Sequence, residues 1–217
     1  MSRSVTIVDV CSGNLRSVER AFLAADANVT ITRDPDTVRR ADRIVVPGQG
    51  AFGVFMQGLA DRGLGDALRE AITSGRPYLG ICLGLQVLFE SSEEQGPIAG
   101  LGILGGRVAR LAPTDPRLKV PHMGWNRVRH VVHTSPTDGD MLPPDPMFHG
   151  VADGAYFYFV HSFHAVPTDP SLLAATAEHG TRITAAIRKD NLFACQFHPE
   201  KSQAVGIRLL ENFVESA

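Results

Sequence analysis

Short β-branched runs alternate with helical patterns through the first half of the chain, and that alternation leaves few folds open. Residues 5–10 read as a strand, and Asn14 opens a helix whose apolar positions Leu15, Val18 and Phe22 recur at helical spacing. Residues 29–31 and 43–46 read as a second and a third strand, the third stopped by Pro47-Gly48. Residues 61–74 form a predicted helix ended by Gly75, residues 77–81 a fourth strand and residues 83–91 a further helix. Strands and helices in this order imply a parallel sheet covered on both faces.

From Gly105 the pattern becomes strand, turn, strand, over residues 107–111, 125–132, 155–160, 172–178 and 181–187, with Gly154 and Gly180 at turns. This predicts a mixed sheet with an antiparallel extension. A last helix over residues 202–215 places Val205, Leu209 and Phe213 on one face. Residues 113–121 and 135–146 read as loops. No composition shift or Pro/Ser/Gly-rich linker separates the halves, so residues 1–217 are expected to form one domain.

Composition removes several function classes. The chain has 217 residues, 44% hydrophobic and 20% charged, which is globular rather than disordered. It carries 21 basic and 23 acidic residues. Arg39, Arg40 and Arg43 are interleaved with Asp34, Asp36 and Asp42. No basic stripe is present, which argues against a nucleic-acid partner. No apolar run approaches the ~18 residues of a membrane span. Cys11, Cys82 and Cys195 are odd in number and far apart, with no C-x-x-C, as expected of free thiols in a reducing cytoplasm.

Cys82 lies in Gly80-Ile-Cys-Leu-Gly84, between a predicted strand and a predicted helix. This is the thiol counterpart of the G-x-S-x-G nucleophile elbow. A sharp strand-to-helix turn needs small residues two positions either side of its apex, because side chains there would collide. The turn places sulfur at the carboxyl edge of the sheet and at a helix N-terminus, which favours thiolate. The N–H of Leu83 is then a ready oxyanion donor. A buried, inert cysteine at a glycine-rich turn is the plainer alternative.

A thiol nucleophile needs a base, and the base needs a partner that fixes its tautomer. His198-Pro199-Glu200 follows an apolar run, and residues two apart on an extended segment point to one side. His198 is therefore expected beside Glu200 with its second nitrogen toward Cys82. The chain has 8 histidines, so other pairs compete with His198. His161 with His164, and His130 with His133, are weak as metal ligands on spacing alone, and the latter pair reads as solvated. Pro47-Gly48-Gln49-Gly50 follows the third strand, where its glycines let backbone N–H groups approach a bound carbonyl. The N–H of Gln49 is the natural second donor.

Pro47-Gly-Gln-Gly50, Gly80-Ile-Cys-Leu-Gly-Leu-Gln86 and Phe197-His-Pro-Glu-Lys-Ser202, in this order, resemble the class I (triad) glutamine amidotransferases over almost the whole chain. Gly13-Asn-Leu-Arg-Ser-Val18, Pro121-His-Met-Gly-Trp-Asn126 and Tyr158-Phe-Val-His-Ser162 resemble, more narrowly, the glutaminase subunits of imidazole glycerol phosphate synthases. The resemblance implies a flavodoxin-like three-layer α/β sandwich that hydrolyses glutamine to glutamate and ammonia. The ammonia would pass to a separate (β/α)8-barrel cyclase, whose lyase-type reaction forms imidazole glycerol phosphate in histidine biosynthesis.

By the same resemblance Cys82 is the nucleophile, His198 the acid and base, and Glu200 its orienter. Gln49 and Leu83 supply the oxyanion N–H groups. Gly48, Gly50, Gln86, Ser162 and Phe163 hold glutamine. Asn14, Met123, Trp125, Asn126 and Lys201 lie at the cyclase interface, core packing being the plainer alternative for Trp125. No metal or organic cofactor is implied. The family usually has a small apolar residue where Gln49 stands, and a Tyr-Gly-like pair where Val10 and Cys11 stand.

Overall fold

The computed structural model describes residues 3–11, 14–135 and 137–216. Gly13, in the motif before the first helix, and Pro136, in the predicted loop 135–146, lie outside the described residues. The first half contains strands β1 (Ser4–Val8), β2 (Asn28–Thr32), β3 (Ile44–Gly48) and β4 (Tyr78–Cys82). Between them lie helices α1 (Leu15–Ala24), α2 (Pro35–Arg39), α3 (Phe52–Asp61) and α4 (Leu64–Thr73), and the short α5 (Leu83–Gln86) follows β4 directly. The chain continues with β5 (Phe89–Ser92), β6 (Ile98–Ala99), β7 (Leu104–Arg110), β8 (His122–Arg127) and β9 (Arg129–His130). It ends with β10 (Tyr156–His161), β11 (Phe163–Pro167), β12 (Leu173–Glu178), β13 (Arg182–Lys189), β14 (Leu192–Cys195) and α6 (Gln203–Glu215).

Among the described residues, eight strands form one sheet in the order β2-β1-β3-β4-β14-β13-β12-β9. The first five run parallel and the rest continue antiparallel. The parallel part has the 2-1-3-4-5 order of flavodoxin-like folds. The predicted mixed sheet with its antiparallel extension is therefore present. β8 pairs with β10 as a separate ribbon, and β11-β7-β5-β6 form a third sheet.

Period-two alternation divides the core. Val45, Leu79, Ile81, Phe193 and Cys195 face α1, α6 and the aromatic rings of Phe157 and Phe159. Their neighbours Ile44, Val46, Tyr78, Leu192 and Ala194 face α3, α4 and α5. Helices therefore cover both faces of the parallel strands. Phe22 of α1 meets Phe213 of α6 edge-on at 6.2 Å between centroids, and removal from water contributes about 1.5–3 kcal/mol for each such side chain.

Several expectations change. The predicted helix 61–74 is α4 alone, and α3 precedes it unannounced. Gly53 and Gly58 give the α3 stretch the look of a loop, but Gly58 is a packing contact: a Cβ there would lie 2.9 Å from Cys11 Sγ. The predicted helix 83–91 stops at Gln86, and Phe89–Ser92 is a strand. Residues 83–89 are buried on every side, and a run without a polar face carries no period to separate helix from strand. The third strand does not stop at Pro47, because Pro47 and Gly48 stay in register with Ile81 and Cys82. The predicted strand 125–132 divides between β8 and β9, which belong to different sheets. β11 was not anticipated; it depends on antiparallel pairing with the distant β7.

Candidate active site

Cys82 ends β4 and caps α5 with φ 55° and ψ -105°. Such a conformation costs a residue with a side chain about 1–3 kcal/mol and persists only where the surroundings enforce it. Here the enforcement is steric. A Cβ on Gly80 would lie 2.4 Å from the Gly84 carbonyl oxygen, and one on Gly84 would lie 1.8 Å from that of Val46. The buried Tyr78 hydroxyl donates to the Gly84 carbonyl at 2.7 Å, tying the start of β4 to the far side of the turn. The spacing of G-x-C-x-G thus reflects the close approach of α5 to β4 and β3. Gly48 is paired with Cys82 across β3 and β4, so Gln49 leaves β3 beside the sulfur. Gly50, at φ 101°, turns the chain there.

β14 lies next to β4 with Cys195 opposite Ile81, and carries the chain to His198. The His198 backbone is fixed twice: its N–H donates to Tyr158 O at 2.8 Å, and Ser202 Oγ donates to its carbonyl at 2.6 Å. Glu200 sits in the 3-10 turn Pro199–Lys201, not on an extended segment as expected. Pro199 pre-sets φ for the first helical position, and Lys201 N–H closes the turn on His198 O at 3.0 Å. The side chains meet nonetheless. His198 Nδ1 lies 2.8 Å from Glu200 Oε1, both groups being buried. The carboxylate accepts, so Nδ1 carries a proton. Nε2 is buried without a hydrogen-bond partner among the described residues. Burial opposes the imidazolium, but the Cys82 sulfur and the Glu200 carboxylate outweigh it and raise His198 to about 10.

A cavity of about 340 Å³ opens over this pair. Its walls include Gln49, Gly50, Cys82, Leu83, Gln86, Ser162, Phe163 and His198, all expected from sequence. Gly48 instead lines a second hollow, with Asn14, His198 and Glu200. Gln86 reaches the cavity with its amide nitrogen committed, donating to Phe163 O and to Gln196 Oε1, each at 2.9 Å. Glu94 and Lys201 also line the cavity. Glu94 was not singled out from sequence, where it is one carboxylate in Glu93-Glu94; in the fold its Oε2 accepts the Phe52 N–H at 2.7 Å.

The expected interface residues separate. Along β8 the side chains alternate, and Met123 and Trp125 are 63% and 46% exposed, which removes core packing as the account of Trp125. Trp125 meets Tyr158 edge-on, and Lys201 Nζ lies 5.7 Å from the Tyr158 ring centroid. Asn14 is exposed at the start of α1. Asn126 turns inward, where its Nδ2 donates to Glu178 O at 2.8 Å and to His122 Nε2 at 3.1 Å. His122 Nδ1 in turn donates to His161 Nε2 at 2.9 Å, and His161 Nδ1 donates to Phe163 O at 2.9 Å. Both nitrogens of His161 are therefore used within the protein. His130 and His133 are not simply solvated: His130 stacks on Phe148, and His133 Nε2 donates to Leu173 O at 2.8 Å.

The profile of the family described as glutamine amidotransferase class-I matches residues 6–217. An imidazole glycerol phosphate synthase subunit HisH from Nitrosomonas europaea is 46% identical over 98% of this chain and 98% of its own length. One from Synechococcus elongatus is 48% identical over 97% of this chain and 92% of its own. The solved structure of PurLQS from Thermotoga maritima superimposes with a TM-score of 0.71 at 17% identity, covering 98% of each chain, and supports the fold. The chain belongs to the class I glutamine amidotransferases, within the HisH subunits of imidazole glycerol phosphate synthase.

Proposed function

We propose that this chain, read as one domain over residues 1–217, hydrolyses glutamine to glutamate and ammonia through Cys82, His198 and Glu200 and delivers the ammonia to a separate (β/α)8-barrel cyclase. The observation that carries the reading is the buried His198–Glu200 pair, 2.8 Å apart, with His198 sharing a cavity wall with the strained Cys82, whose sulfur helps raise His198. The Cys82 thiolate attacks the carboxamide carbon, and the N–H groups of Leu83 and Gln49 receive the developing oxyanion. His198 protonates the departing ammonia. It then takes a proton from the water that hydrolyses the glutamyl thioester. Glu200 keeps the imidazole oriented throughout.

Gly50, Gln86, Ser162 and Phe163 position glutamine, Gly48 serving instead to carry the chain from β3 to Gln49, and the Glu94 carboxylate matches the α-ammonium charge of glutamine. Met123 and Trp125, with Lys201 and Asn14, form the docking face, and Asn126 supports it from within. The chain's own step is hydrolysis; ring closure in histidine biosynthesis, the lyase-type step, belongs to the partner. The test is glutamate release from glutamine, by the chain alone and with the cyclase and its nucleotide ligand. Stimulation by the liganded partner, absent in Cys82→Ala although cyclisation with added ammonia survives, is the expected result. No release in either condition, with the complex shown to form, overturns the reading.

A further inference from the structure

We propose that Gln196 is a positioning residue for the nucleophile, its side-chain amide holding the Cys82 sulfur while Gln86 holds the amide. The inference rests on the reading of Cys82 as the nucleophile. It begins with register. β14 and β4 are parallel, with Ala194 opposite Gly80 and Cys195 opposite Ile81. One further step sets Gln196 beside Cys82. The Gln196 N–H donates to Ala185 O at 2.8 Å, so the backbone stays tied to β13 where the β14–β4 pairing ends. The side chain is fully buried, and its Nε2 donates to Cys82 Sγ at 3.5 Å.

The orientation of that amide is determined by its surroundings. Gln196 Oε1 accepts from Gln86 Nε2 at 2.9 Å, and the same nitrogen donates to Phe163 O at 2.9 Å. A carbonyl oxygen only accepts, so Phe163 O fixes Gln86, and Gln86 fixes Gln196. Turning Gln196 alone would set two NH2 groups against each other and a carbonyl against the sulfur. A buried amide gives up its hydration, and among the described residues the partner its nitrogen regains is the Cys82 sulfur. An anionic sulfur accepts that bond more strongly than a thiol. Gln196 therefore favours the reactive form and fixes the direction in which it points, while His198 supplies the proton chemistry.

The experiment measures iodoacetamide alkylation of Cys82 against pH in the full chain, with Gln196→Leu and Gln196→Glu beside the unsubstituted protein. The other titratable groups around the sulfur are His198, Glu200 and Cys195, with His161, Glu94 and Lys201 on the cavity walls; these substitutions leave all of them in place. Gln196→Leu is expected to move half-maximal alkylation upward by about one pH unit and to slow it about tenfold at pH 7. Gln196→Glu keeps an acceptor for Gln86 but sets a carboxylate against the sulfur, and is expected to shift the profile further. Should either variant fold poorly, Gln86→Met, which leaves Gln196 unanchored, is expected to show a smaller shift in the same direction. Profiles that coincide with the unsubstituted protein, with or without a loss of glutamate release, overturn the proposal. Alkylation needs no glutamine, so failure of the glutaminase reading shows separately as absent glutamate release from an alkylatable protein.

Discussion

A methyl group placed on Gly84 would lie 1.8 Å from the carbonyl oxygen of Val46, closer than any real contact allows. Gly84→Ala must therefore push α5 away from β3, and with it the turn that holds Cys82. The expected cost is about 1–3 kcal/mol, read as a lower thermal midpoint. Glutamate release per folded molecule should fall as well, because the sulfur and the Gln49 loop separate. An unchanged midpoint would mean that the elbow is softer than its contacts imply.

Glu200 and Cys82 together outweigh burial in raising His198 to about 10. Glu200→Gln removes one of them and frees the ring to rotate. Glutamate release is expected to fall by about 10²–10⁴-fold, and its alkaline limb to move to lower pH. The sign for stability follows from the raised value. The contribution of His198 is complete below about pH 6.5 and disappears as pH rises through about 10. Denaturation midpoints of the two proteins should therefore converge in strong alkali.

The three thiols should separate under alkylation. Burial, followed by the nearby Glu200 and Cys82 charges, pushes Cys195 well above the ordinary thiol range. Burial likewise raises Cys11, partly offset by Arg62. Mass spectrometry after brief iodoacetamide treatment at neutral pH should find the label on Cys82 first, on Cys11 slowly, and on Cys195 only after unfolding. Equal labelling of all three would argue for a relaxed, inactive sulfur at Cys82.

Burial is the largest cause holding His122 down to about 4 and His161 down to about 3. Both fall below the unfolded value of about 6.5, so the folded state binds fewer protons in acid. Their contribution to stability is complete above about pH 6.5 and declines as pH falls toward 4 and then 3. Urea midpoints should drop as pH falls below about 6. The double variant His122→Gln/His161→Leu should show a shallower drop.

Met123 and Trp125 leave large apolar surfaces in water on the outer face of β8. Trp125→Ala is expected to weaken binding of the cyclase subunit by about 30-fold or more. The thermal midpoint of the isolated chain should hardly change. Titration calorimetry with the purified partner measures the first quantity, and unchanged affinity would place the docking face elsewhere.

Much of this was legible in sequence because the chemistry is rare. A cysteine flanked by glycines at two-residue spacing, and a histidine followed by Pro-Glu, leave few structural explanations. The parallel order was legible because β1, β3 and β4 are short apolar runs followed by helices. Gln196 was not legible: glutamine before an apolar residue carries no pattern, and only the register of β14 on β4 brings it to the sulfur. The inward turn of Asn126 was hidden likewise, since which face of β8 packs inward depends on its pairing with β10. The α3 helix was obscured by glycines that serve contact rather than turning, and β5 by burial on all sides.

The position of β14 bears on how such a chain comes into being. It is the last strand in chain order, yet it occupies the interior of the eight-stranded sheet between β4 and β13. Without β14, β4 and β13 would each present a bare edge, and bare edges invite wrong pairing. Arrival of β14 closes that gap and carries His198 in beside Cys82 in one event. A chain truncated before β14 lacks His198 and is expected to release no ammonia, so the proposed activity depends on closure of this gap.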